Sequence, residues 1–236
     1  MAKSIRIVDN SQINPKEAYK LEQKLLQPSE TEEGVGLLLE LGNLLGLKDQ
    51  NKLIGIAESV TLDVLLNPKI QKKIKSLPQD SPLRLIVEED AARNTLADVK
   101  KLYPGRENYH YGHGIAVESR GAGMGTKLLA ERLRKLVGEN DLLFGYTLAN
   151  PANIALLNLY FKFGGVIDKV ENDAYGSGQP YFRVVLDNRA AYSDPRTRLP
   201  LTEWYLSKIK LYLSVGFVGT RIDEDGFLVF KRRLHP

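Results

Sequence analysis

Apolar and polar residues alternate from Ser4 to Val8, which predicts a first β-strand. Asn14-Pro15 then reads as a helix start, Asn14 capping and Pro15 taking the first helical position. Ala18, Leu21, Leu25 and Leu26 carry that helix to about Gln27 at helical spacing. Ser29–Glu33 is a polar break, and Leu37–Leu47 reads as a leucine-rich buried helix loosened by its glycines. Lys52–Val60 predicts a strand, Leu62–Leu77 a partly helical stretch broken at Pro68, and Leu83–Glu88 another strand after the Pro78 and Pro82 turn. Asp90–Leu102 repeats apolar residues as a helix does and ends at Tyr103-Pro104-Gly105.

Sharper signals follow. Tyr109–Val117 is strand-like with Ile115 and Val117 on one face, and Thr126–Val137 is an amphipathic helix built on Leu129, Leu133 and Leu136. Leu142–Leu148 predicts a buried strand, Ile154–Phe163 a helix stopped by Gly164-Gly165, and Val166–Val170 and Tyr181–Leu186 two closing strands. The stretch Leu159–Val166 resembles Leu211–Val218 at a period of 52 residues. Each copy follows a helical segment and precedes two strands, the second pair turning at Asp223–Gly226. Two units are too few for a solenoid.

The chain has 236 residues, 43% hydrophobic and 26% charged, which fits one large domain or one domain plus a modest appendage. No apolar run approaches the roughly 18 residues of a membrane span, and the first residues lack the layout of a signal peptide. A cytoplasmic protein without membrane partners is therefore expected. With no cysteine and three histidines (His110, His113, His235), disulfides, thiolate metal sites and a cysteine nucleophile are excluded, and no metal is expected. The net charge of +4 is compatible with a negatively charged small molecule, but it is foremost that of an ordinary solvated surface. Basic residues are interleaved with acidic ones, so nucleic acid is not an expected partner.

One segment carries chemistry. Between the Tyr109–Val117 strand and the helix after it lies Arg120-Gly121-Ala122-Gly123-Met124-Gly125. The first amides of a helix lack partners within it and hold partial positive charge. Glycines let the backbone approach a phosphate closely, and Arg120 adds a guanidinium. A ligand-free tight connection would need the same glycines. A dinucleotide-binding domain would want Gly-x-Gly-x-x-Gly near the start of parallel units, and the Walker lysine is absent.

This segment resembles the cofactor motif of the GNAT superfamily of acyl-CoA N-acyltransferases, Gln/Arg-x-x-Gly-x-Gly/Ala. A second family signature is met by Asn153, Tyr160 and Gly164. The resemblance covers residues 109–188 well and 1–60 loosely. It implies an α+β fold, a GNAT-like mixed, mostly antiparallel splayed sheet flanked by helices. Residues 1–188 would form the acyltransferase domain, with an insertion at about 62–105. Residues 189–236 would form a helix-hairpin extension, packed on the open sheet edge or exchanged with a second subunit in a homodimer.

The function implied is an acetyl-CoA-dependent N-acetyltransferase, moving acetyl directly from the CoA thioester to a primary amine. Acetyl-CoA is the expected cosubstrate and an amine acceptor the expected partner. Ile115, Ala116 and Val117 would pair with pantetheine. Arg120, Gly121, Ala122, Gly123, Met124, Gly125 and Thr126 would hold the diphosphate. Asn153 would contact pantetheine or seat its helix, and Tyr160 would protonate the departing thiolate. His113 and Glu118 are candidate bases, with Glu58 a rival. The alternatives are a non-catalytic CoA-binding or sensory module, and an acetyltransferase acting on RNA or an RNA-bound substrate. The chain departs from the family pattern at Gly164-Gly165, where Gly-Phe is usual, and in its length beyond Leu186.

Overall fold

In the computed structural model the described residues are 5–26, 29–41, 44–87, 89–119, 122–149, 152–175, 177–187 and 191–234, without the side chains of 87, 89–93 and 194–196. They fall into two units, Met1–Asp141 and Leu142–Pro236.

The first unit runs β1 (Ile5–Asp9), α1 (Pro15–Leu25), α2 (Glu32–Glu40), β2 (Leu44–Asp49), β3 (Lys52–Thr61), α3 (Leu62–Leu65), α4 (Pro68–Lys75), α5 (Pro82–Val87), α6 (Glu89–Leu102), β4 (Tyr109–Val117) and α7 (Met124–Leu136). The four strands lie in chain order and pair antiparallel. Side-chain oxygens of Asn14 and Thr31 accept from Lys16 N and Gly34 N, so each starts its helix by satisfying an orphan amide. Helices α1 and α2 cover one sheet face, packing Ala18, Leu21 and Val35 against Val8, Leu44, Leu53, Ile56 and Ala116. On the other face, Met124 and Leu128 of α7 meet Leu45, Leu47, Ile54 and Ala57.

Two predicted elements are corrected here. The helix expected over Leu37–Leu47 stops at Glu40, and Leu44–Leu47 begins β2. All four of those residues are buried, so their unbroken apolar run suits a strand covered on both faces. Gly46 allows this, because a Cβ there would stand 2.9 Å from Leu53 and Val8 side-chain carbons. The strand expected over Leu83–Glu88 is instead α5, with Glu88 outside the described residues. Ser81 Oγ accepts from Arg84 N, and Leu83 and Ile86 are buried at helical spacing. The turn expected between Pro78 and Pro82 is present, Ser81 N donating to the Pro78 carbonyl at 3.1 Å, and Ser81-Pro82 then starts the helix.

The second unit runs β5 (Leu142–Leu148), α8 (Ile154–Lys162), β6 (Val166–Asn172), β7 (Pro180–Leu186), β8 (Ala191–Pro200), α9 (Leu206–Ser214), β9 (Phe217–Ile222) and β10 (Phe227–Leu234). Strand β8 was not predicted. The strand order is β5-β7-β6-β9-β10-β8, antiparallel throughout. Residues 191–234 therefore continue the sheet of this unit from β6 outward. Within it Asp168 and Arg183 form a buried two-bond ion pair, at 2.9 and 2.9 Å.

Candidate active site

Strand β4 leads directly toward α7. Gly123 is the N-cap of α7 at φ 71°, a left-handed conformation that L side chains resist. Its lack of a side chain also leaves the first turn without a side-chain cap. Ala122 and Gly123 are exposed, Gly125 and Thr126 half-buried, and Met124 is buried. The exposed backbone of this turn and the helix dipole favour an anion there. Arg120 and Gly121 lie outside the described residues.

Within β4, Ile115, Ala116 and Val117 pair regularly with Ala57, Ile56 and Gly55. Nearer its start the register slips: Glu58 faces Gly114 but Val60 faces Tyr111, so Gly112 and His113 together oppose Ser59. Such a bulge re-aims side chains. It sends His113 Nε2 to 3.3 Å from Glu30 Oε2, while a Cβ on Gly114 would lie 3.1 Å from Glu58 Oε2. Arg132 of α7 donates to the Gly114 carbonyl.

A buried ionisable cluster surrounds this bulge. Glu22, Glu30, Glu58 and Arg132 are each at 0% exposure. Ligand-type atoms of Glu22, Glu58 and His113 lie within 4.8 Å of one another. Burial and the neighbouring Glu22 push the Glu58 carboxyl well above the usual range. Burial alone would raise Glu30, but its bonds to His113, Ser81 and Thr31 hold it below. Burial alone would lower His113, but the hydrogen bond and charge of Glu30 raise it.

Glu118, the other expected base, sits differently. It receives Lys24 Nζ at 3.3 Å and Lys52 Nζ at 2.7 Å, and the Lys52 bond leads in holding its carboxyl below the usual range. Glu22, Glu30 and Arg132 were missed by sequence reasoning. A signal existed for two of them: Glu22 adjoins Leu21 on the apolar stripe of α1, and Arg132 continues Leu128 and Leu129 on α7.

In the second unit Asn153 Oδ1 accepts from Leu156 N at 3.1 Å, capping α8 and so seating it. Tyr160 is 5% exposed, in the last turn of α8. Gly164 is left-handed, and a Cβ on Gly165 would stand 2.8 Å from the Tyr160 carbonyl. This close approach explains a second glycine where phenylalanine is usual. A cavity of about 350 Å³ in this unit, lined by Phe163, Val166, Asp187, Tyr192, Thr220 and Lys231 among others, holds none of the predicted site residues.

Solved structures share this fold. A chain of the NatC complex, in a crystal structure bound to Gag peptide and CoA, matches with TM-score 0.52 at 18% identity, over 78% of this chain and 98% of that one. A mosquito arylalkylamine N-acetyltransferase like 5b matches with TM-score 0.55 at 17% identity, over 77% and 99%. The fold is the GNAT fold. A Drosophila melanogaster polyamine N-acetyltransferase adds a third match, at TM-score 0.54 and 14% identity, over 78% and 100%. No family model and no curated protein sequence matches the chain. No helix among the described residues is long and apolar enough to cross a membrane.

Proposed function

We propose that this protein is an acyl-CoA-dependent N-acyltransferase that moves an acetyl group from the thioester to a primary amine. The observation that carries the reading is the left-handed Gly123 opening α7, with no side-chain cap, on the chain that follows a bulged strand in a GNAT fold. An exposed helix start of this kind is suited to a diphosphate. Structures of the same fold are named for CoA-bound or N-acetyltransferase proteins, which supports acetyl-CoA as cosubstrate.

The chemistry asked of the chain is modest. A neutral amine attacks the thioester carbonyl, the C–N bond forms, the C–S bond breaks, and the thiolate leaves with a proton. Main-chain N–H groups of Ile115 and Val117, which point away from β3, would orient the acyl arm and polarise the carbonyl. Tyr160 would supply the proton to sulfur, and orientation would supply much of the remaining acceleration. Of the two expected bases, we assign proton uptake to His113 in its neutral form. Glu118, held ionised by two lysines, is the weaker acceptor.

Native mass spectrometry of the purified protein, followed by a free-thiol assay against peptide, arylalkylamine and polyamine acceptors, tests the reading. CoA or acetyl-CoA should bind, and thiol should be released with at least one amine. Failure to bind either form of the cosubstrate overturns the proposal. Binding without turnover on any primary amine would leave a CoA-binding module instead.

A further inference from the structure

The sheet of the second unit reads the same in both directions. Outward from the β6–β9 junction the strands are β6, β7, β5 on one side and β9, β10, β8 on the other. Each arm is made in the same succession of strand, helix, left-handed glycine and hairpin. Gly164 and Gly216, one repeat period apart, have φ of 79° and 89°. Even the irregularities correspond. The β6–β7 register slips between Ile167 and Lys169, and the β9–β10 register between Gly219 and Arg221. The residues passed over, Asp168 and Thr220, are again one period apart.

The junction shows how the arms are related. Strand β6 pairs antiparallel with β9, and Ile167 stands opposite Gly219. Those two residues occupy the same place in the repeat. An antiparallel pair in which a residue faces its own equivalent has a two-fold axis between them. The helices obey the same axis: α8 packs against β9 and α9 against β6. Reciprocal contacts of this kind are the mark of an isologous interface between identical subunits.

We infer that residues 189–236 serve as a built-in second copy, occupying in cis the β6 edge on which another molecule of this chain would otherwise pair. An open edge strand offers unpaired N–H and C=O groups to any similar strand. A tethered partner competes at an effective concentration in roughly the millimolar range, far above that of a free chain at micromolar concentration. The arm then ends on β8, whose sequence contains Pro195 and Pro200, residues with no N–H to donate to a further strand. The protein therefore does not self-associate through β6. This inference rests on the second unit alone and is independent of the acyltransferase reading.

Because the chain contains no cysteine, introduced thiols report without background. In the full-length chain carrying Ile167→Cys, mild oxidation should give no disulfide-linked dimer. In Ile167→Cys/Gly219→Cys the two thiols should disappear with no doubling of mass, because paired strand positions lie within disulfide reach. Dimers from the single variant, or links between chains in the double variant, overturn the inference. A Cβ at position 219 crowds Leu228, so hydrogen exchange on the unaltered chain provides a second test. The amides beside the Ile167–Gly219 pair should exchange as slowly as those of β7, and rapid exchange there refutes the docking.

Discussion

Substitutions at Gly123 separate the strain of the turn from its proposed ligand. The residue sits at φ 71°, and no heavy atom lies within 4 Å of a Cβ built there. Gly123→Ala therefore meets no steric obstacle, and its cost is that of the left-handed backbone, about 1–2 kcal/mol. For a chain of this size each kcal/mol lowers Tm by roughly 2–4 °C. Gly123→Asn should cost less, since asparagine tolerates this conformation. Both variants add side-chain atoms at the residue that precedes the first-turn amides of α7. If these amides hold a diphosphate, displacing one charge-assisted hydrogen bond forfeits about 1.5–3 kcal/mol, or roughly 10- to 150-fold in CoA affinity. Calorimetric titration with CoA, beside thermal melts, reads both quantities. The expected pattern is a small Tm loss for the asparagine variant with a large affinity loss in both. CoA affinity unchanged in two folded variants would refute the diphosphate assignment.

Three further perturbations test other parts of the molecule. Tyr160→Phe keeps the buried ring and removes only the hydroxyl, so turnover should fall by about 10²-fold or more while CoA affinity and Tm hold; unchanged turnover in steady-state assays removes Tyr160 from proton transfer. Asp168→Ala or Arg183→Met strands a buried charge and should cost about 3–5 kcal/mol in urea unfolding. The double replacement Asp168→Thr/Arg183→Met should recover much of that loss, because the second arm has Thr220 bonded to the Val229 carbonyl at the matching place; a simple sum of the single losses would contradict this. Glu58, held protonated above its unfolded range, contributes stability that is present at low pH and lost as pH rises through its folded value. Glu58→Gln should therefore gain on the parent with rising pH in denaturant melts, and a pH-independent difference would sink the burial argument.

Local chemistry made much of the fold legible. Asn14-Pro15 caps α1, Pro68 starts α4 after the Asn67 cap, and β3, β4 and β5 carry apolar runs of strand length. Reading failed where two structures share one pattern. Leu44–Leu47 is apolar on every side, and only the cover supplied by other elements makes it a strand. Leu83–Val87 is short enough to be either helix or strand, and bonds to distant Glu30 and nearby Ser81 choose the helix. Strand β8 had no signal of its own. Its sequence of charges and prolines reads as a loop until β10 pairs with it. The repeat was visible through Tyr160 and Tyr212, but its two-fold relation required the Ile167–Gly219 register.

The site divides along the same line. A glycine turn is local and announces itself, whereas a buried charge cluster is assembled from places far apart in the chain and has meaning only as a sum. Around the β4 bulge stand Glu22, Glu30, Glu58, Arg132 and the His113 imidazole, all removed from water. An interior cannot carry much net charge, since an isolated buried ion costs far more than the fold can supply. Arg132 and the imidazolium form of His113 that Glu30 favours offset carboxylate charge, and the raised Glu58 carboxyl limits how much of it there is. The directions agree, with Glu58 and His113 raised and Glu30 lowered. Electroneutrality thus ties the proposed proton acceptor to its surroundings. His113 can accept a proton only after releasing the one that Glu30 stabilises, which requires a pH above the ordinary histidine value. Acyl transfer should accordingly climb with pH through a limb displaced upward from that value, and Glu30→Gln, by removing the charge that holds the proton, should draw the limb back down. A limb that stays put in Glu30→Gln would detach His113 from the reaction.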